Sequence, residues 1–111
     1  MLDHQWVNEF PGTIEVCDPN GILLEMNDRA AAQEGGRQLI GTNILDCHPE
    51  PARTKLRLLL EAGQPNVYTI EKKGKRKLIY QAPWYVDGHY AGFVELSLEI
   101  PETMPHFVRG G

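Results

Sequence analysis

Two cysteines, Cys17 and Cys47, are all this chain has, and no paired spacing suggests a disulfide framework. Nothing resembles Cys-x-x-Cys either. The histidines at positions 4, 48, 89 and 106 lie too far apart to complete a structural zinc site. No apolar stretch approaches the ~18 residues of a membrane span. The opening Met1-Leu2-Asp3-His4-Gln5-Trp6 lacks the basic start and apolar run of a secretory leader. An excess of basic charge is missing too. A net charge of -4 over 111 residues speaks against nucleic-acid binding by the chain as a whole. Internal repeats and low-complexity segments are absent. These absences leave one expectation: a cytoplasmic, membrane-free protein with reduced thiols. Its length suits one domain with one core.

What is present starts with the stretch from Val16 to Asp28. Asp18, Pro19 and Gly21 fall at the first, second and fourth places of a type I turn, where each is favoured. Thr13–Cys17 and Ile22–Met26 are the strands of a hairpin around it. Asn27 then caps a short helix from Asp28 to about Glu34, and Gly35-Gly36 stops it. Leu2, Trp6 and Phe10 recur every four residues, which predicts a helical cap of about three turns ahead of Pro11-Gly12. Arg37 to Ile44 suits a helical turn and a loop. After Pro51, residues Ala52, Leu56, Leu59 and Leu60 share one face of a helix that ends at Gly63, with Leu58 turned outward.

Strands follow. Val67–Lys72 turns at Lys73-Gly74, Arg76–Tyr85 turns at Asp87-Gly88, and His89–Ile100 ends at Pro101. In the last strand Val94, Leu96, Leu98 and Ile100 face one way, and Phe93, Glu95, Ser97 and Glu99 the other. The apolar row is expected on the core side. Two strands, a helical run and three strands argue an α+β domain: an antiparallel sheet with helices on one face. A cavity between the sheet and the longest helix is the natural ligand site.

The ordered pieces Asp18-Pro19-Asn20-Gly21, Asn27-Asp28-Arg29-Ala30-Ala31, Leu39 to Pro49, Asp87-Gly88 and Gly92-Phe93-Val94 resemble the PAS family from about Phe10 to Ile100. Cys47-His48-Pro49 resembles one bacterial subset of it. The resemblance implies a five-stranded sheet in the order 2-1-5-4-3, frequent homodimers, and a pocket for a small molecule or cofactor. It also implies a partner such as a kinase, a cyclase or a transcription regulator. It divides the chain into an N-terminal helical cap (1–11), the PAS domain (12–100) and a tail (101–111). No output domain or signalling helix follows Ile100, so the domain is expected either to act through a partner or to be a piece of a larger chain.

Several groups invite chemistry. Cys47-His48 would need a thiolate with a base in hydrogen-bond reach, which adjacent side chains seldom achieve, and no oxyanion site accompanies it. Packing at a helix start is the reading taken, so no catalytic residue and no metal site is assigned. Some PAS domains hold haem iron with a histidine on the long helix, and the corresponding helix here, Ala52 to Glu61, has none. Only His48, just before it, offers one. Light-sensing PAS domains place their cysteine three positions earlier than Cys47, which argues against a covalent flavin adduct. No paired-carboxylate motif appears, because the sequence gives no reason to select any two among Asp3, Glu15, Asp18, Glu25 and the rest.

Arg53 could offer a fork to a carboxylate. Tyr80 and Trp84 share one face of their strand, with Gln81 on the other, and either face suits the interior. Lys72, Lys73, Lys75, Arg76 and Lys77 hold five of the eleven basic residues, leaving -9 on the rest of the chain (-4 minus +5). A solvated hairpin tip is the plainer account, since no aromatics interleave with the charges.

The expected function is a non-catalytic sensory domain that binds a small organic ligand or a signalling partner. Candidate pocket residues are Cys47, His48, Arg53, Leu56, Tyr80, Trp84, Val94 and Leu96. Leu2, Trp6, Phe10 and Phe93 are the candidate dimer contacts. The alternatives are a haem redox or gas sensor through His48, and a ligand-free interaction module docking through the basic hairpin.

Overall fold

The computed structural model describes residues 4–111, so Leu2 lies outside the described residues. The Asp18 turn forms as its residues require. Asp18 O accepts from the Gly21 N–H at 3.0 Å, and Asp18 Oδ1 accepts from the N–H groups of Asn20 and Ile22, both at 2.9 Å. This turn joins β1 (Thr13–Cys17) to β2 (Leu23–Met26). Asn27 ends the hairpin and starts α2 (Asp28–Glu34), accepting the Ala30 N–H on its Oδ1 at 3.1 Å. Gly35, at φ 106°, closes that helix in the left-handed conformation glycine tolerates best. Two tight helical turns, Arg37–Leu39 and Ile44–Cys47, lead to the longest helix, α3 (Ala52–Ala62).

The remaining strands are β3 (Asn66–Lys72), β4 (Lys75–Val86) and β5 (His89–Ile100). Their two-residue loops, Lys73-Gly74 and Asp87-Gly88, have positive φ at both positions (53° and 75°, 49° and 79°). That is the turn geometry whose twist matches antiparallel strands. All neighbours in the sheet are antiparallel, in the order β2-β1-β5-β4-β3. The helical run from α2 to α3 therefore carries the chain from one edge of the sheet to the other. Residues 101–111 form no helix or strand and leave Met104, Phe107 and Val108 exposed.

Ahead of β1, α1 (Gln5–Asn8) is a single turn, shorter than the spacing of apolar residues predicts. His4 sits in the left-handed region at φ 60° and Pro11-Gly12 follow closely, so little chain is left for a helix. Asn27 ties this segment down, donating from Nδ2 to Val7 O at 3.1 Å and to Gly12 O at 2.8 Å.

The two faces of β5 lie opposite to the expectation. Phe93 is 8% exposed and packs with Cys17 and Leu60 on the α3 side. Val94, Leu96 and Leu98 line a groove of about 470 Å³ on the other face, beneath Trp6, Val7 and Phe10. The register fixes this arrangement: Cys17 opposes Phe93 and Glu15 opposes Glu95, while Val16 opposes Val94 and Ile14 opposes Leu96. The core proper is small. One cluster holds Leu23, Met26, Ala30 and Ala31, and the other holds Cys17, Leu60 and Phe93. At the far hairpin, Lys75 pairs with Glu99 at 3.5 Å and Arg76 with Glu71 at 3.6 Å. Both pairs are exposed, where ion pairs contribute little to stability.

Candidate cavity between the sheet and the long helix

Between the inner face of the sheet and α3 lies a cavity of about 150 Å³. Three strands build its polar floor. Pleating turns Glu15 and Cys17 of β1, Gln81 of β4, and Phe93 and Glu95 of β5 toward it, because residues two apart share a face. Its apolar side comes from Leu56 and Leu60, one helical turn apart on α3, together with Leu23 and Ile44. His48 completes the lining, and Glu34, exposed on α2, stands at its edge.

The floor is ordered by side-chain hydrogen bonds. Asn66 Nδ2 donates to Gln81 Oε1 at 2.8 Å, and Gln81 Nε2 donates to Glu95 Oε1 at 2.6 Å. The relay spans three strands and leaves Glu95 as an acceptor. Glu15 sits directly across from Glu95 on the neighbouring strand. Burial, then the nearby charges of Glu95 and Glu34, push its carboxyl up to about 7. No lysine or arginine is among the lining residues to offset those charges.

His48 is oriented by its own backbone neighbourhood. Its Nδ1 meets Ile44 O at 2.6 Å. A carbonyl only accepts, so Nδ1 carries a proton, and in the neutral ring the lone pair belongs to Nε2. Arg53 Nε donates to His48 O at 2.9 Å, which fixes the same corner from the first turn of α3. At the other end, Tyr90 Oη donates to Leu60 O at 2.7 Å, and its ring meets Phe93 edge-on, with centroids 6.2 Å apart. That bond joins α3 to β5 at this end of the cavity.

Of the eight candidate pocket residues, His48 and Leu56 line this cavity. Val94 and Leu96 line the groove on the opposite face. Cys47 and Arg53 are exposed beside it, and Tyr80 is 42% exposed on the outer face of β4. Trp84 reaches past Gly92 to donate its indole N–H to Cys17 O at 3.1 Å. Of the candidate dimer contacts, Trp6 and Phe10 are 61% and 37% exposed on the outer side, whereas Phe93 is interior and unavailable for that role.

The polar lining residues outside those eight candidates are Glu15, Cys17, Glu34, Gln81 and Glu95. The available signal was the polar row Glu95-Ser97-Glu99 on β5, but which row faces inward depends on what covers each face of the sheet.

Burial pushes the Cys17 thiol up, away from the thiolate a nucleophile needs, and both cysteines are free. Among the described residues, no three His, Cys, Asp or Glu side chains gather to hold a metal ion.

The sequence matches no family model and no curated protein. Solved structures do match. A C-terminal domain from Streptococcus mutans is 20% identical with a TM-score of 0.72, covering 84% of this chain and 78% of that one. The PAS domain of Bordetella pertussis BvgS is 19% identical with a TM-score of 0.63, covering 86% and 82%. The Aer2 receptor of Vibrio cholerae, a dual PAS-haem oxygen sensor, is 20% identical with a TM-score of 0.54, covering 81% and 95%. At such identities the likeness speaks for the fold. The strand order, the crossing helices and the cavity beneath them agree with it, and this chain folds as a PAS domain.

Proposed function

We propose that this chain is a non-catalytic sensory domain that holds a small polar molecule between α3 and the sheet and relays its presence to a signalling partner. One observation carries the reading: the cavity has a hydrogen-bonding floor drawn from three strands and an apolar lid from one helix. Such a combination supplies both burial and orientation for a ligand. Its volume, about 150 Å³, is below the ~300–1,000 Å³ of pockets for drug-sized ligands, so a compact molecule is the fitting occupant.

Haem does not fit. His48 Nε2 has a lone pair to give, but the cavity is too small for the macrocycle and its floor presents the carboxyl groups of Glu15 and Glu95. A flavin meets the same limit of space.

Ligand binding would act by population shift, favouring whichever arrangement of α3 and the N-terminal segment contacts the ligand best. The outer face is the proposed dimer surface. Trp6 and Phe10 leave apolar area uncovered there, next to Val94 and Leu96. Replacing both Trp6 and Phe10 with glutamate should convert a dimer to monomers by solution mass. An unchanged mass would rule this surface out.

The cavity itself is tested with Leu56→Trp, which places an indole where the ligand would sit. A compound that raises the melting temperature of the native protein should leave this variant unmoved. Saturation at 100 times Kd is worth about 2.7 kcal/mol, so the difference is readily seen. Equal shifts in both proteins would place binding elsewhere.

A further inference from the structure

Glu15 and Glu95 face each other across the β1–β5 seam as register partners, and both line the same cavity. Side chains directly opposite on antiparallel strands have Cβ atoms roughly 4.5–5.5 Å apart, and like charges there repel. Neither has a cation beside it: the ion pairs among the described residues are Arg37–Asp28, Lys75–Glu99 and Arg76–Glu71, all at the surface. Glu95 is committed as an acceptor by the Gln81 amide. Two carboxyl groups in this setting are best satisfied by one proton between them, which makes Glu15 a donor and leaves Glu95 with lone pairs to receive it.

We propose that Glu15 and Glu95 form a shared-proton pair, and that the domain responds to pH by gaining a second negative charge on this pair when that proton leaves for solvent. The groups facing the pair point the same way. From α2, Glu34 adds negative charge, and α3 presents only Leu56 and Leu60. From β4 comes the neutral Gln81, from β1 the buried Cys17 thiol, and from β2 Leu23. His48 is the one lining group able to become cationic, and it is held through Nδ1 to Ile44 O. Tyr68 on β3 senses the same charge, since Glu95 adds to the upward push that burial gives its phenol.

The sign follows from linkage. The Glu15 carboxyl lies near 4.5 when exposed and is raised to about 7 in the fold, so the folded state binds the extra proton between those values. Its stabilisation is complete below about 4.5 and is lost as pH rises through about 7, above which the dependence levels off.

The test is carboxyl-carbon NMR of the whole protein through a pH titration. The Glu15 resonance should titrate with a midpoint near 7, and Glu95→Gln should bring that midpoint down by removing the opposing charge. A Glu15 midpoint in the ordinary range near 4.5, or one that ignores Glu95→Gln, overturns the pairing. As a second reading, the native melting temperature should fall as pH rises from about 5 to about 8, and Glu15→Gln should flatten that fall. An equal fall in the variant overturns the assignment to this residue. Should Glu15→Gln not fold, the titration of the native chain decides alone.

Discussion

Asn27→Ala should destabilise the domain by about 3–4 kcal/mol, from a cap worth ~0.5–2 and buried backbone groups worth ~1–3 each when left unpaired. Asn27 is 1% exposed, and its amide holds three parts of the chain together. Oδ1 accepts from the N–H of Ala30 at 3.1 Å, starting α2, and from that of Ile14 at 3.0 Å, on β1. Nδ2 donates to Val7 O and Gly12 O, anchoring the N-terminal segment over the outer face. Alanine removes all four bonds, and solvent relaxation recovers only part of the loss. At ~4–8 °C per kcal/mol for a domain near this size, the melting temperature should drop by more than about 10 °C. Urea unfolding checks the free energy, and a loss below ~1 kcal/mol would contradict the role given to this side chain. Asn27→Asp refines the point. It keeps the acceptor for α2 and loses both donors, so amide signals of residues 5–12 should shift while those of α2 stay.

Gly92→Ala should cost about as much, for a different reason. A Cβ on Gly92 would lie 1.9 Å from Cys17 O and 2.8 Å from both Cα and C of Asp18. These are backbone atoms of the turn and of β1, so no side-chain rotation relieves the overlap. The residue also has φ 127°, where an L side chain is strained. Overpacking of ~1–3 kcal/mol and strain of ~1–3 kcal/mol together predict a loss of about 4 kcal/mol. Displacing Cys17 O also breaks its hydrogen bond from the Trp84 indole. The Trp84 indole N–H resonance should therefore move with the loss of stability. A variant within ~0.5 kcal/mol of the native protein would show that the two strands do not pack as closely as described.

Both residues bear on what the sequence makes legible. Turns, caps and stops are local chemistry, and Asp18, Asn27, Gly35 and Gly63 do in the structure what their types favour. The order of strands follows from those boundaries together with the family resemblance. The faces of β5 are another matter. Val94, Leu96 and Leu98 form the more apolar row, yet they lie on the outer face under Trp6 and Phe10. The polar row, with Glu95, lines the cavity. Alternation tells which residues share a face but not which face is covered by α3, because a polar-floored cavity on one side and an apolar groove on the other invert the usual rule of apolar residues inward. The meeting of Glu15 with Glu95 is likewise invisible before the β1–β5 register is known, since 79 other positions separate them in the chain.

Whether the cavity under α3 holds a small molecule is read from native mass spectrometry of freshly purified protein, with an absorbance spectrum of the same sample. The expected result is a mass excess of a compact organic molecule per chain and no haem or flavin band, with the excess lost in Leu56→Trp. A bare protein mass, or a chromophore band that disappears with His48→Ala, would contradict it.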